Sequence, residues 1–253
     1  MTPLFHRRMG KGTPLVLLHG LFGSGDNLNT VARGLSDLFD VLLADQRDHG
    51  RSPHTDAIDY DRMAADVRDL LDAEQVHRAV LVGHSMGGKT AMRFAQLFPD
   101  RILRLVVIDI GPREYAVNNH AQIIEALLTS DLPHKRTRAE VQEHLARYVP
   151  EPGVQQFLMK SLYWAGPERL AWRFNVPLIA KDIASILAAI GPEVVRVPTL
   201  FIRGGQSDYI PREDLPQIRE QFPDHRVETI PYAGHWVHAQ APDEVVALIK
   251  DFA

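Results

Sequence analysis

The 253-residue sequence contains no cysteine, which excludes disulfide scaffolds, thiolate zinc sites, iron-sulfur clusters and a cysteine nucleophile together. Long apolar runs are also missing: nothing approaches the ~18 consecutive apolar residues that a membrane helix needs. The first ten residues carry His6, Arg7 and Arg8 but no apolar stretch of signal-peptide length. Charge of one sign is not concentrated anywhere, and 28 Lys and Arg stand against 32 Asp and Glu, a formal net charge of −4. That balance gives no electrostatic reason to expect nucleic acid or an anionic membrane as partner. Internal repeats and low-complexity segments are absent as well. The expectation is a cytoplasmic globular enzyme or binding protein, with its oligomeric state left open.

What the sequence does contain is a series of short apolar runs bounded by turn residues: Leu15 to Leu18, Val41 to Ala44, Ala79 to Val82, Leu105 to Ile108 and Pro198 to Ile202. Their apolar residues are consecutive rather than alternating, as in strands covered on both faces of a parallel sheet. Helices must then lie between them. Asp61 to Asp72 supplies one, with Met63, Val67, Leu70 and Leu71 on a single stripe; Met86 to Phe98 and Pro242 to Phe252 supply others. Strand and helix alternate to about residue 111 and again from about 197, which predicts a mostly parallel, doubly wound α/β core, 1–111 and 193–253. The intervening segment, 112–192, shows no convincing strand and reads as short helices such as Ile123 to Leu128 and Ala139 to Tyr148. It holds Trp164 and Trp172, two of the three tryptophans. The segment is expected to form a cap whose aromatic underside lines an apolar acyl pocket.

The segment Ala79 to Gly88 runs from a buried strand through Gly83-His84-Ser85-Met86-Gly87 into a helix. A serine hydroxyl becomes a useful nucleophile when a tight turn holds it exposed, and a G-x-S-x-G elbow between strand and helix does this. The amides that open the helix then face developing negative charge. Gly83 to Thr90 also satisfies a G-x-x-x-x-G-K-[ST] phosphate loop, the basis of an alternative nucleotide-binding reading. His19-Gly20-Leu21-Phe22-Gly23 closes an earlier strand, where the amide of Leu21 can join that of Met86 in an oxyanion hole. A general base that titrates near neutral pH selects histidine, and His235, in Gly234-His235-Trp236, lies about 150 residues after the serine and before the last helix. His238 follows three residues on, a spacing that does not favour a shared metal.

On these motifs the sequence resembles the α/β-hydrolases, and within them the YbfF-type bacterial acyl esterases. The likeness runs through HGLFGSGDNL at 19–28, DQRDHGRSPH at 45–54, GHSMGGK at 83–89, IDIGP at 108–112, WRFNVP at 172–177 and GHWVHA at 234–239. It implies an α/β-hydrolase fold with a helical cap, Ser85 as nucleophile, His235 as base, and short to medium acyl esters or thioesters as substrates. The acid of the triad has two candidates. Asp109, at a strand end, matches the position that similar esterases use; the superfamily's usual place after a later strand holds Ser207, with Asp208 one residue beyond. Phe22, Trp164, Trp172 and Trp236 are the side chains expected to line the substrate pocket. The charged loop 45–52 is expected to be structural, with Arg47 paired to Asp45 or Asp48. Serine at the elbow argues against dehalogenase and epoxide-hydrolase chemistry, which need aspartate there. The reaction implied needs no metal or organic cofactor, and a non-catalytic ligand receptor on the same fold is the alternative of a different class.

Overall fold

A computed structural model of the chain describes residues 2–116 and 118–253. Its strands are β1 (His6–Met9), β2 (Thr13–Leu18), β3 (Phe39–Ala44), β4 (Ala79–His84), β5 (Ile102–Ile108), β6 (Leu162–Gly166), β7 (Arg169–Trp172), β8 (Thr199–Gly204) and β9 (His225–Ile230). Seven of them form one sheet in the order β1-β3-β2-β4-β5-β8-β9. Every pairing in it is parallel except that of β1 with β3. The edge strand β1, sequence HRRM and half-exposed, escapes a search for buried apolar runs because its side chains are mostly polar.

The consecutive apolar residues divide between the two faces, since successive strand side chains point oppositely. Val16 and Leu18 of β2, Leu81 of β4 and Leu105 and Val107 of β5 pack into one core layer. Leu15, Leu17, Val80, Val82, Val106 and Ile108 pack into the other. The first layer is covered by α2 (Tyr60–Ala73) and α3 (Met86–Leu97), the second by α1 (Asn29–Leu35) and α10 (Pro242–Phe252). In α2 the stripe Met63, Val67, Leu70 and Leu71 is buried, and Asp59 caps the helix by accepting the Arg62 amide at 2.8 Å.

Between β5 and β8 the chain forms α4 (Asn118–Leu128), α5 (Arg138–Ala146), α6 (Pro152–Met159), the β6–β7 pair and α7 (Val176–Leu187). Thr137 and Glu140 make a reciprocal capping box at the start of α5. The antiparallel hairpin, with Tyr163 facing Ala171 and Trp164 facing Leu170, corrects the all-helical reading of this segment. Its strands are too short and too aromatic to show a clean period, and Glu168 turns the chain with φ of 55°. One residue ties both ends of the insert to the core. The Lys89 ammonium, buried in α3, donates to the carbonyls of Arg113 (2.6 Å), Leu187 (3.4 Å) and Ala188.

Among the described residues, no helix is long and apolar enough to cross a membrane.

Candidate active site

Parallel strands bring their C-terminal ends to one edge of a sheet, where residues distant in sequence meet. At that edge Ser85 follows β4, Asp109 follows β5, the 19–23 turn follows β2, and His235 lies beyond β9. Ser85 has φ of 53° and ψ of −121°, a left-handed elbow that holds its hydroxyl clear of both the strand and the helix it joins. The two flanking glycines are required by close approach. A Cβ on Gly83 would lie 2.1 Å from the Gly87 carbonyl oxygen, and one on Gly87 would lie 2.3 Å from that of Leu18.

The Ser85 hydroxyl donates to His235 Nε2 at 3.1 Å, and His235 Nδ1–H donates to Asp109 Oδ2 at 2.8 Å. Asp109 is fully buried, and its other oxygen accepts the Gly204 amide at 2.9 Å. The Ser207 hydroxyl also donates to Oδ2. Asp208 is exposed, and among the described residues only its backbone carbonyl is engaged, by Arg113. Geometry therefore separates the two candidate acids, and the residue in the superfamily's usual acid slot, Ser207, serves as a donor to the carboxylate instead.

Rings of Tyr209 and His84 pack against the imidazole of His235. Tyr209 stacks on it with ring centroids 3.7 Å apart and planes 15° apart. His84 Nε2–H donates to the His235 carbonyl at 2.9 Å, and burial, with His238 and His235 nearby, keeps the His84 imidazole neutral by pushing its pKa well below 6.5. His238, in α9 (Val237–Gln240), which follows α8 (Leu215–Gln221) in the chain, packs against His84 at 4.2 Å between ring centroids.

The 19–23 turn is anchored by two further neutral histidines. His49 Nε2 accepts the Phe22 amide at 3.2 Å while its Nδ1–H donates to the Arg47 carbonyl. His19 Nε2 accepts the Gln46 amide at 3.0 Å. Burial lowers their pKa values, to about 3 for His49 and about 4 for His19, as acceptor nitrogens facing amide donors require. These bonds leave the Leu21 amide, and that of Met86 in the first turn of α3, without a backbone acceptor among the described residues. The 45–52 loop is knitted as a structural unit, with one correction. Arg47 forms a two-toothed pair with Asp66 of α2, at 2.6 and 2.8 Å, rather than with Asp45 or Asp48. Asp45 instead accepts the amides of Gly25 and Arg51, and Asp48 the amide of Thr55 and the side chain of Asn175.

A cavity of about 240 Å³ opens over Ser85 and His235. Phe22 and Trp236 line it, together with Ile123, Val154, Phe157 and Leu158 of the insert. Trp164 and Trp172 do not, which corrects their assignment to the pocket. Trp164 stands on the outer side of the hairpin, 48% exposed, while Trp172 stacks on Phe174 and donates Nε1–H to Ser130. Aromatic content marked the insert, but the period of α4 and α6 decides which side chains face the serine. His120 also faces it, and its buried Nδ1 has no partner among the described residues. The phosphate-loop reading of Gly83 to Thr90 fails on burial: Lys89 spends its donors on carbonyls, and the Thr90 hydroxyl on Gln46 and Met86.

The profile of a family described as having the alpha/beta hydrolase fold matches residues 13–182. The chain is 40% identical to esterase YbfF of Escherichia coli K12 over 95% of its own length and 92% of that protein's. It is 39% identical to a protein of Danio rerio named sn-1-specific diacylglycerol lipase ABHD11, over 96% of this chain and 79% of that one. A solved structure titled "Marine microorganism esterase" superposes with a TM-score of 0.97 at 41% identity, covering all of both chains.

Proposed function

The chain belongs to the α/β-hydrolase fold family and is a hydrolase of esters, and from that premise we propose that Ser85, His235 and Asp109 are its catalytic triad, acting on small-molecule acyl esters or thioesters. The observation that carries this assignment is the unbroken relay from the Ser85 hydroxyl to His235 to the buried Asp109. His235 Nε2 takes the hydroxyl proton as Ser85 Oγ attacks the carbonyl carbon, and the amides of Leu21 and Met86 receive the charge that forms on the carbonyl oxygen. The imidazolium, oriented and stabilised by Asp109, returns the proton to the departing alcohol or thiol. Water then repeats the sequence on the acyl-serine and releases the carboxylic acid. Ser207 and Gly204 keep the Asp109 carboxylate in place, and the insert 112–192 serves as a cap that excludes bulk water from the intermediate. A cytoplasmic location belongs to the same proposal.

Ser85→Ala is expected to lower kcat on p-nitrophenyl acetate by roughly four to six orders of magnitude. Near-normal turnover by the folded variant would overturn the assignment.

A further inference from the structure

A second, much smaller cavity adjoins the first. It measures about 20 Å³, little more than the ~10–15 Å³ that a single water requires. Leu21, Ser85, His120 and Tyr209 line both cavities and form the neck between them. The serine therefore stands at the junction of a large and a small compartment.

The two compartments differ in one respect that decides their roles. His235 lines the large one and not the small one, whereas Met86, whose amide is assigned above to the oxyanion, lines the small one. In acyl transfer the protonated base must reach the leaving oxygen, so the leaving group lies on the side of the imidazole. The acyl chain, attached to the same carbon, lies on the other side. On the catalytic assignment made above, we propose that the small compartment holds the acyl chain and the large apolar one holds the alcohol. The substrate class is then short, uncharged acyl esters, acetyl or propionyl, of bulky apolar alcohols.

The walls of the small compartment support the uncharged character. Ile110, Ile186 and Leu187 contribute hydrocarbon, and three of the polar residues beside them have their heads engaged elsewhere, which leaves His120 and Tyr209 at the neck. Tyr60 donates its hydroxyl to the Ile186 carbonyl and Tyr115 to that of Tyr209, while the Lys89 ammonium is held by the carbonyls of Arg113, Leu187 and Ala188. A carboxylate carried past the neck, in among Ile110, Ile186 and Leu187, would have to displace one of these bonds. The reading divides the insert between the two compartments: Phe157 of α6 lines the large one, on the alcohol side, whereas Tyr115, Ile186 and Leu187 line the small one, on the acyl side.

Two substrate series test the assignment on the full-length enzyme. With a constant p-nitrophenol leaving group, kcat/KM is expected to peak at acetyl or propionyl and to fall at least roughly tenfold by hexanoyl. With constant acetyl, it is expected to rise at least roughly tenfold from the ethyl to the hexyl ester. Ile186→Ala should raise the hexanoyl-to-propionyl ratio at least roughly tenfold, and Leu187→Ala provides the same reading if the first variant does not fold. An optimum at octanoyl, a preference for the smallest alcohol, or an unchanged acyl profile in the folded variants would overturn the proposal. Activity on p-nitrophenyl acetate and labelling of Ser85 by a fluorophosphonate report separately on the triad. If both are lost, it is the catalytic assignment that fails; if both persist with inverted preference, only the compartments have been assigned wrongly.

Discussion

Asp109→Asn changes one atom in the buried relay, and the structure fixes where that atom goes. All three polar neighbours of the carboxylate are donors: the Gly204 amide on Oδ1, and His235 Nδ1–H and the Ser207 hydroxyl on Oδ2. If the new NH2 group pointed at Gly204, two donors would meet where a 2.9 Å hydrogen bond now stands, at a cost of about 1–3 kcal/mol. Pointing at Oδ2 is easier, because the Ser207 hydroxyl rotates to accept. His235 must then move its proton from Nδ1 to Nε2, the nitrogen that has to receive the Ser85 proton. The variant also loses the charge that steadies the imidazolium: at an effective dielectric of about 20, centres ~4 Å apart attract by ~4 kcal/mol. That is about three orders of magnitude in rate, and the wrong tautomer takes the expected loss in kcat to about 10⁴-fold. Asp208→Asn, at an exposed side chain that touches none of these groups, should change kcat by less than about twofold. Both variants would be assayed on p-nitrophenyl acetate after circular dichroism establishes that they are folded. Folded Asp109→Asn protein retaining a tenth of wild-type kcat, or Asp208→Asn falling as far as Asp109→Asn, would refute the reasoning.

Two further outcomes follow from buried groups around the site. His19, His49, His120 and His238 have their pKa values lowered by burial to about 4, 3, 4 and 3. The unfolded chain therefore takes up protons below about pH 6.5 that the folded chain refuses. Stability is expected to be intact above that pH and to fall as pH drops toward 4, by ~1.4 kcal/mol per pH unit for each such imidazole; a thermal midpoint constant between pH 6.5 and 4.5 would contradict this. Arg47→Met leaves the buried Asp66 carboxylate without its partner, so chemical denaturation should show a loss of about 3–5 kcal/mol, and a loss under 1 kcal/mol would show that the pair does not hold the loop.

Much of the fold was legible in the residues because burial on both sheet faces leaves a local mark. Runs such as Leu15 to Leu18 and Leu105 to Ile108 are strands whose every side chain needs cover, and glycines 83 and 87 stand where no side chain fits. The proposed nucleophile and base could be picked out for a similar reason, since Ser85 and His235 each lie in a short turn pattern that carries its own chemistry. Local pattern failed where the partner is distant. The sequence neighbours of Arg47 offered two aspartates, but its partner Asp66 lies on a different element. Trp164 and Trp172 marked the insert as aromatic without revealing that a hairpin turns one to solvent and stacks the other on Phe174.

By itself, then, the order of residues determined which groups could react, because the elbow, the glycine turn and the histidine are each set by a few adjacent backbone angles. Only the folded chain decided which aspartate stands behind His235 and how the space around Ser85 is divided. Those depend on the ends of β4, β5, β8 and β9 meeting at one edge, and on which faces of α4, α6 and α7 the insert turns inward. Neither is a property of any local stretch, because hydrogen-bond distance and cavity shape arise from side chains a hundred or more positions apart.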